Sequence, residues 1–175
     1  MLGLKRDSVR VVEHNQGWAA LAVDACQEVR LACGDLFEDL QHVGSTAVPS
    51  LPAKPILDLA AGVRTTEAIP EIVRRLTAIG YLYCGDKGDE GGHLFVRESA
   101  PNVRTVHLHV VEHNGNQWKN YLLFRDLLRQ DALLRQQYAE LKRRLADELG
   151  NDRKAYTASK QDFIGGALRD HTRVE

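Results

Sequence analysis

Cysteine is scarce in this 175-residue chain: Cys26, Cys33 and Cys84 are the three, an odd number with no closely spaced pair. That argues against a disulfide framework and against a cysteine-rich metal site. It leaves free, buried thiols in a reducing, cytoplasmic setting as the expectation. Long hydrophobic runs are missing too. None reaches the ~18 residues of a membrane span, and the opening MLGLKRDSVRVVEHN turns polar within a few residues, unlike a cleavable leader. Charge of one sign is also lacking. The formal net charge is −1, with a mildly acidic stretch up to residue 117 and a mildly basic one after it, far from the footprint of a nucleic-acid binder. Repeats and low-complexity segments are absent. What is present is ordinary: 43% hydrophobic and 27% charged residues, in a chain long enough to bury a core without metal or disulfides.

The order of elements reads as mixed α/β. Val9–Glu13 is a short strand candidate. Trp18–Cys33 is a helix, with Trp18, Leu21, Ala22, Ala25, Val29 and Ala32 recurring at spacings of three and four and Gly34 stopping it. Strands are expected at Phe37–Val43 and Ile56–Val63, then a helix over Thr66–Ile79 ended by Gly80 and a strand at Tyr81–Cys84. The loop DKGDEGG (86–92) is a turn or hairpin tip, followed by paired strands His93–Arg97 and Thr105–Glu112 joined through SAPN. From Gln117 onward the chain turns helical. Leu134, Tyr138, Leu141, Leu145 and Leu149 form a stripe closed by Gly150, read as core or a dimer seam, and a last helix spans about 152–168. The expectation is one domain over 1–175, with a sheet core over about 1–115 and C-terminal helices over about 116–175.

The most informative segment is HVGSTAVPSLPAKPILDLAAG, His42 to Gly62. An apolar strand ends in Gly44-Ser45, a proline-punctuated loop carries Lys54, and a second strand holds Asp58 among apolar neighbours. Glycine lets backbone amides approach a phosphate, and a carboxylate on an apolar strand is costly unless a cation or donor meets it. About fifty residues later, His107 and His109 project to one face of their strand, with Val106, Leu108 and Val110 on the other. If that strand lies near Asp58, a His-His-Asp cluster results. Imidazoles with one carboxylate suit Zn²⁺, Mn²⁺ or Fe²⁺ better than Mg²⁺. Without a metal, the same imidazoles could donate to phosphate or act as general base; alternatively, the pair faces solvent and does neither.

Strand, Gly-Ser, then a strand-borne Asp is the layout of the nucleotidyltransferase fold. Several segments together resemble the GrpB-like family, which is assigned to that superfamily: HVGSTAVPSLPAKPILDL (42–59), VHLHVVE (106–112), FRDLLR (124–129), YAELKRRLA (138–146) and DRKAYTASKQDFI (152–164). They run in family order over nearly the whole chain. The resemblance implies an α/β (α+β) fold, a nucleotidyltransferase-like mixed sheet flanked by helices with a C-terminal helical elaboration. It implies a phosphate cradle at Gly44, Ser45 and Thr46 and a divalent metal (Mg, Mn or Zn) held by Asp58. Some relatives are fused to dephospho-CoA kinase, which implies that enzyme as a partner. The chain also departs from active nucleotidyltransferases. These carry a second carboxylate two residues after the first, where this chain has Ala60, and a third on a later strand, where it has His107 and His109.

Further cations complete the reading. Lys54, held by Pro55, either neutralises a phosphate or lies on the surface; Arg97, Arg125 and Lys160 are candidate phosphate ligands, alongside Lys142 and Arg153 at family motif positions. Tyr156 stacks on a base or packs, and His42 is read as structural. Two functions follow. One is an enzyme acting on a nucleotide or other phosphorylated small molecule, transferring a nucleotidyl or phosphoryl group, with Asp58, His107 and His109 catalytic. The other is a non-catalytic binding or folding-accessory module related to coenzyme A metabolism.

Overall fold

The computed structural model describes residues 2–149 and 152–172. Its centre is strand β3, Leu57–Val63, whose residues are buried except for the half-buried Asp58. A strand covered on both faces reads as a continuous apolar run, as LDLAAGV nearly does. β3 lies between β2 (Asp39–Val43), antiparallel to it, and β6 (Val103–Glu112), parallel to it. β6 pairs in turn with β5 (His93–Ala100), and β5 with the edge strand β4 (Tyr81–Asp86), so the sheet order is β2-β3-β6-β5-β4. The two-residue β1, Leu4–Lys5, adds to the start of β6.

Helix α1, Gly17–Cys33, and helix α2, Ile69–Ala78, cover one face. Trp18, Ala22, Val29 and Cys33 of α1 and Ile69, Ile72 and Leu76 of α2 meet Leu57, Leu59, Ala61, Val106, Leu108 and Val110 there. The parity is the pleat's: these strand residues alternate with Asp58, Ala60, His107 and His109, which face the other way. Helices α3 (Asn116–Gln130), α4 (Ala132–Glu148) and α5 (Arg153–Thr172) belong to that second side. Trp118 and Tyr121 of α3 pack on Val43, Ala60 and Val111. Val48 and Leu51, from the proline-punctuated loop, anchor a further cluster with Leu128, Tyr138, Ala139 and Phe163. That loop is core, clasped by the helical elaboration. Asp131 starts α4 by accepting the Leu134 amide at 2.9 Å. No helix among the described residues is long and apolar enough to cross a membrane.

Several expectations are corrected. Val9–Glu13 is not a strand: it makes a single bridge, Val12 to Ala53, because β1 has taken the position against β6. Leu21 is 43% exposed, so the buried stripe of α1 runs through Trp18, Ala22, Val29 and Cys33 instead. The helix expected over Thr66–Ile79 opens as a one-turn 3-10 segment, Thr66–Ala68, with Thr65 accepting the Glu67 amide, and becomes α-helical at Ile69 just before Pro70. Only half of SAPN is connection: Ser99 and Ala100 belong to β5, and Pro101 and Asn102 turn, with Asn102 left-handed at φ 62°. The three cysteines are free thiols as expected, but only Cys33 is buried; Cys26 and Cys84 are half-buried. The stripe Leu134–Tyr138–Leu141–Leu145 packs into the core, and Gly150 lies outside the described residues.

Leu108 sits at the middle of the sheet with no exposure, on the face opposite the histidines. Leu108→Ala is expected to lower unfolding stability by about 2–5 kcal/mol, read by urea denaturation. A loss below about 1 kcal/mol would contradict this packing.

Candidate metal and phosphate site

The parallel pairing of β3 with β6 sets Asp58 beside His107 and Ala60 beside His109. Asp58 Oδ1 lies 3.4 Å from His107 Nδ1 and 3.7 Å from His109 Nε2. The side chains are partly buried, 34% exposed for Asp58 and 13% and 15% for the histidines. One ligand atom from each lies within 4.8 Å of the others, and among the described residues this is the one such group of three or more His, Cys, Asp or Glu side chains.

The second ring nitrogen of His109 fixes its tautomer. Nδ1 is 3.0 Å from the Gly91 carbonyl, which can only accept, so Nδ1 carries the hydrogen. In the neutral ring Nε2 therefore presents a lone pair to the Asp58 carboxylate. Two acceptors face each other, and attraction between them needs a cation or a proton. Burial opposes ionisation of Asp58, but with His107 and His109 protonated their hydrogen bonds and charge together outweigh it and hold its carboxyl well below the usual carboxylate range. Tyr121 caps the group, its ring 5.3 Å from that of His109.

The donor set discriminates between metals. Tetrahedral bonds of 2.0–2.1 Å set ligand atoms about 3.3 Å apart, close to the separations here. Magnesium prefers six hard oxygens. One carboxylate and two imidazoles do not supply them, and Ala60, where a second carboxylate would stand, is fully buried against Trp118. The residues fit a transition metal and do not fit magnesium.

Gly44 closes the site above Asp58. Its φ is +68°, and a Cβ there would lie 2.7 Å from Asp58 Oδ2, so only glycine allows this approach. The one-turn 3-10 segment Ser45–Ala47 follows. Helices α3 and α4 hold the turn with cations. Arg125 donates to the His42 carbonyl at 3.1 Å and to Gln41 Oε1 at 3.0 Å. Arg129 donates to the Ala47 carbonyl from Nε at 3.0 Å and from Nη2 at 2.8 Å. Lys142, 2% exposed, donates to Ser45 Oγ at 3.0 Å and to the Pro52 carbonyl. Thr46 is buried and shares a 2.9 Å hydrogen bond with His42 Nε2.

The expected site residues therefore separate. Asp58, His107, His109, Gly44 and Ser45 converge. Thr46 faces His42 and braces the turn. Lys54 and Lys160 gather at one ring, their ammonium groups 4.0 and 4.7 Å from the centroid of Tyr156. Tyr156 itself is 1% exposed and packs rather than offering a face to a base. Arg125 directs its donors at the turn's backbone, as a brace. Arg97 is corrected outright. It pairs in register with Val106, which puts it on the α1 face, where it bonds Glu28 and lines a groove of about 510 Å³. The Arg153 side chain lies outside the described residues. Sequence reasoning overlooked Arg129, Tyr121 and the Gly91 carbonyl. Lys142 was visible only as one motif cation among several; its central position on an apolar helical stripe was the signal.

A family model described as "GrpB protein" matches residues 8–170. The glutamate-rich protein GrpB of Alkalihalophilus pseudofirmus is 31% identical over 173 residues, covering 97% of this chain and 99% of that one. The crystal structure of the conserved protein GrpB from Enterococcus faecalis is similar with a TM-score of 0.81 and 27% identity, over 93% of this chain and 99% of that one. A dephospho-CoA kinase of Mycolicibacterium paratuberculosis is 29% identical over 191 residues, 95% of this chain but 46% of its own length. The Cid1 poly(U) polymerase, solved with MgGTP bound, has a TM-score of 0.56 at 14% identity, over 78% of this chain and 44% of that one, a likeness of fold alone.

His42 gives this region a pH signature. Burial, reinforced by Arg129, Arg125 and His14 and opposed by Asp58, lowers its pKa from 6.5 to about 4. The folded value lies below the unfolded one, so this stability is complete above pH 6.5 and is lost as pH falls through about 4. The loss is at most about 3 kcal/mol. Denaturation midpoints followed from pH 7 to 4 should show it, and His42→Gln should flatten that interval. An equal slope in both proteins would contradict a half-buried, neutral His42.

Proposed function

Because the chain belongs to the GrpB family and has the nucleotidyltransferase fold, we propose that it binds a phosphorylated small molecule or nucleotide beside a divalent transition metal. Asp58, His107 and His109 would hold the metal. Gly44-Ser45, with Lys54, Lys142 and Lys160 behind it, would receive the phosphate. The observation that carries this reading is the convergence of one carboxylate and two imidazoles on a common point, with the Gly91 carbonyl fixing the His109 tautomer. A hydrogen bond from the far ring nitrogen to a backbone carbonyl is how metal-ligating histidines are held.

Zinc or manganese bound there would supply Lewis-acid polarisation of a phosphoryl oxygen. The chain's own residues do the rest. Gly44 keeps side chains away from Asp58, so a ligand can lie against the backbone. The Ser45 hydroxyl offers a hydrogen bond beside the Lys142 amine. Lys54 and Lys160 provide positive charge for an anion, and Arg125 and Arg129 hold the turn rigid from behind. Nucleotidyl or phosphoryl transfer is the reaction class this arrangement serves. Two-metal magnesium chemistry is not part of the reading, since its oxygen ligands are missing.

A second reading is favoured by Ala60. With the second carboxylate position filled by core packing, the pocket suits a binding module that assists a partner enzyme. The dephospho-CoA kinase relative, more than twice as long as this chain, makes coenzyme A metabolism the natural setting for such a partner.

Thermal unfolding with added ligands tests both. Zn²⁺ or Mn²⁺ at about 100 times its dissociation constant should stabilise the wild type by about 2.7 kcal/mol, a rise of roughly 5–10 °C. Asp58→Ala and His109→Ala should lose that rise, and Mg²⁺ should give none. ATP or coenzyme A should add a further rise. If that rise needs the metal, the catalytic reading gains; if it survives Asp58→Ala, the binding module gains. No rise with any metal, nucleotide or coenzyme A at millimolar concentration would sink both.

A further inference from the structure

Lys142 stands apart from the other cations of the site. It is 2% exposed, midway along α4, and its amine reaches Ser45 Oγ at 3.0 Å and the Pro52 carbonyl, with the Tyr138 ring 4.7 Å away. Among the described residues, the charges that act on it are Arg143 of its own helix, Lys160 of α5 and Asp58 of β3, the one carboxylate of the three. No ion pair at or under 4.0 Å joins Asp58 to Lys142. Among the described residues no carboxylate forms an ion pair with Lys142, so a fully charged ammonium in this position would be buried without a paired counter-ion, which is strongly unfavourable. Lys54 and Lys160 lie 4.0 and 4.7 Å from the centroid of the Tyr156 ring, and Lys160 is one of the charges that act on Lys142.

We propose that Lys142 is the proton acceptor of the phosphate subsite: a phosphoryl group docking on Ser45 binds together with a proton, which settles on the Lys142 amine. This rests on the phosphate-binding reading above and needs no metal. In the free protein the amine is neutral, donating one N–H to Ser45 Oγ and the other to the Pro52 carbonyl. When a phosphoryl oxygen arrives at Ser45, the counter-ion that Lys142 lacks is supplied, and a solvent proton converts the amine to an ammonium. Burial first, then the charges of Lys160 and Arg143, hold the amine well below the ordinary lysine range, and Asp58 opposes them only in part. The subsite's attraction for anions is thus completed by the anion itself. Because the complex holds one more proton than the free protein, affinity weakens as pH rises between the free and bound values of Lys142.

Pyrophosphate in metal-free buffer containing chelator is the probe, which separates this proposal from the metal site. Calorimetric titration of the wild type at pH 7.5, in two buffers of different ionisation enthalpy, should show uptake approaching about one proton per pyrophosphate bound. Pyrophosphate's own ionisation on meeting cations would release protons, the opposite sign. Lys142→Met should abolish the uptake and weaken binding by about tenfold or more, the value of a charge-assisted hydrogen bond. Should that variant fail to fold, Lys142→Gln keeps an N–H donor and cannot titrate, so it makes the same comparison. Binding without uptake, uptake that persists in the non-titrating variant, or no binding by the wild type would each overturn the proposal. Asp58→Ala should retain the uptake. A protein that shows uptake yet fails the metal test would keep this inference and lose the metal half of the proposed function.

Discussion

The parallel pairing of β3 with β6 is the contact on which both the fold and the site depend. These two strands are the middle of the sheet, and one set of backbone hydrogen bonds serves two ends. On one face the register stacks Leu57, Leu59 and Ala61 with Val106, Leu108 and Val110 beneath α1 and α2. On the other it brings Asp58 to His107 and Ala60 to His109. A slip of one residue would turn the carboxylate into the apolar core and expose leucines in its place, so hydrophobic burial enforces the geometry of the polar cluster. The site is held in place by a core that takes no part in its chemistry.

The loop between β2 and β3 is constrained differently, by cations that enter from the helical elaboration. Arg125 and Arg129 hold backbone carbonyls on either side of the Gly44-Ser45 turn, and Lys142 holds Ser45 and the Pro52 carbonyl. Val48 and Leu51 are buried against the same helices. A turn that would otherwise be free is thereby made a rigid part of the core, as a site that must discriminate small geometric differences requires. The C-terminal helices thus brace the turn to which the proposed phosphate site is assigned.

Likeness to the nucleotidyltransferases explains the scaffold and leaves the chemistry to be read from the residues. The fold places a strand-borne acid beside a Gly-Ser turn, and this chain keeps both. Where further carboxylates would gather magnesium, it has an alanine sealed by Trp118 and a pair of histidines. Imidazole in place of carboxylate changes the hardness of the ligand set, and with it the metals and reactions the site can support. The same scaffold thus carries a different cluster of side chains, which is why the fold alone does not name a reaction.

Alternation and helical periodicity were legible from the chain itself. The buried run of β3, the two faces of β6, the stripes of α1 and α2 and the helical C-terminal third all follow from side-chain spacing, because burial selects residues at the period of the backbone. Asp58, His107 and His109 were legible for the same reason, as polar residues that alternate with apolar ones along a strand, and Gly44-Ser45 through the layout of strand, Gly-Ser turn and strand-borne acid. Tertiary structure alone decided which side of the sheet each cation would reach. Arg97 looked equivalent to Arg125, yet one residue of strand parity sends it to Glu28 on the opposite face. Lys142 was one positive charge on a leucine-rich helix until packing placed its amine on Ser45. Nor did the chain reveal that the Gly91 carbonyl would orient His109, since a backbone group carries no sequence signature. Local spacing fixes which way a side chain leaves the backbone; what it meets there depends on which distant segment folding brings alongside.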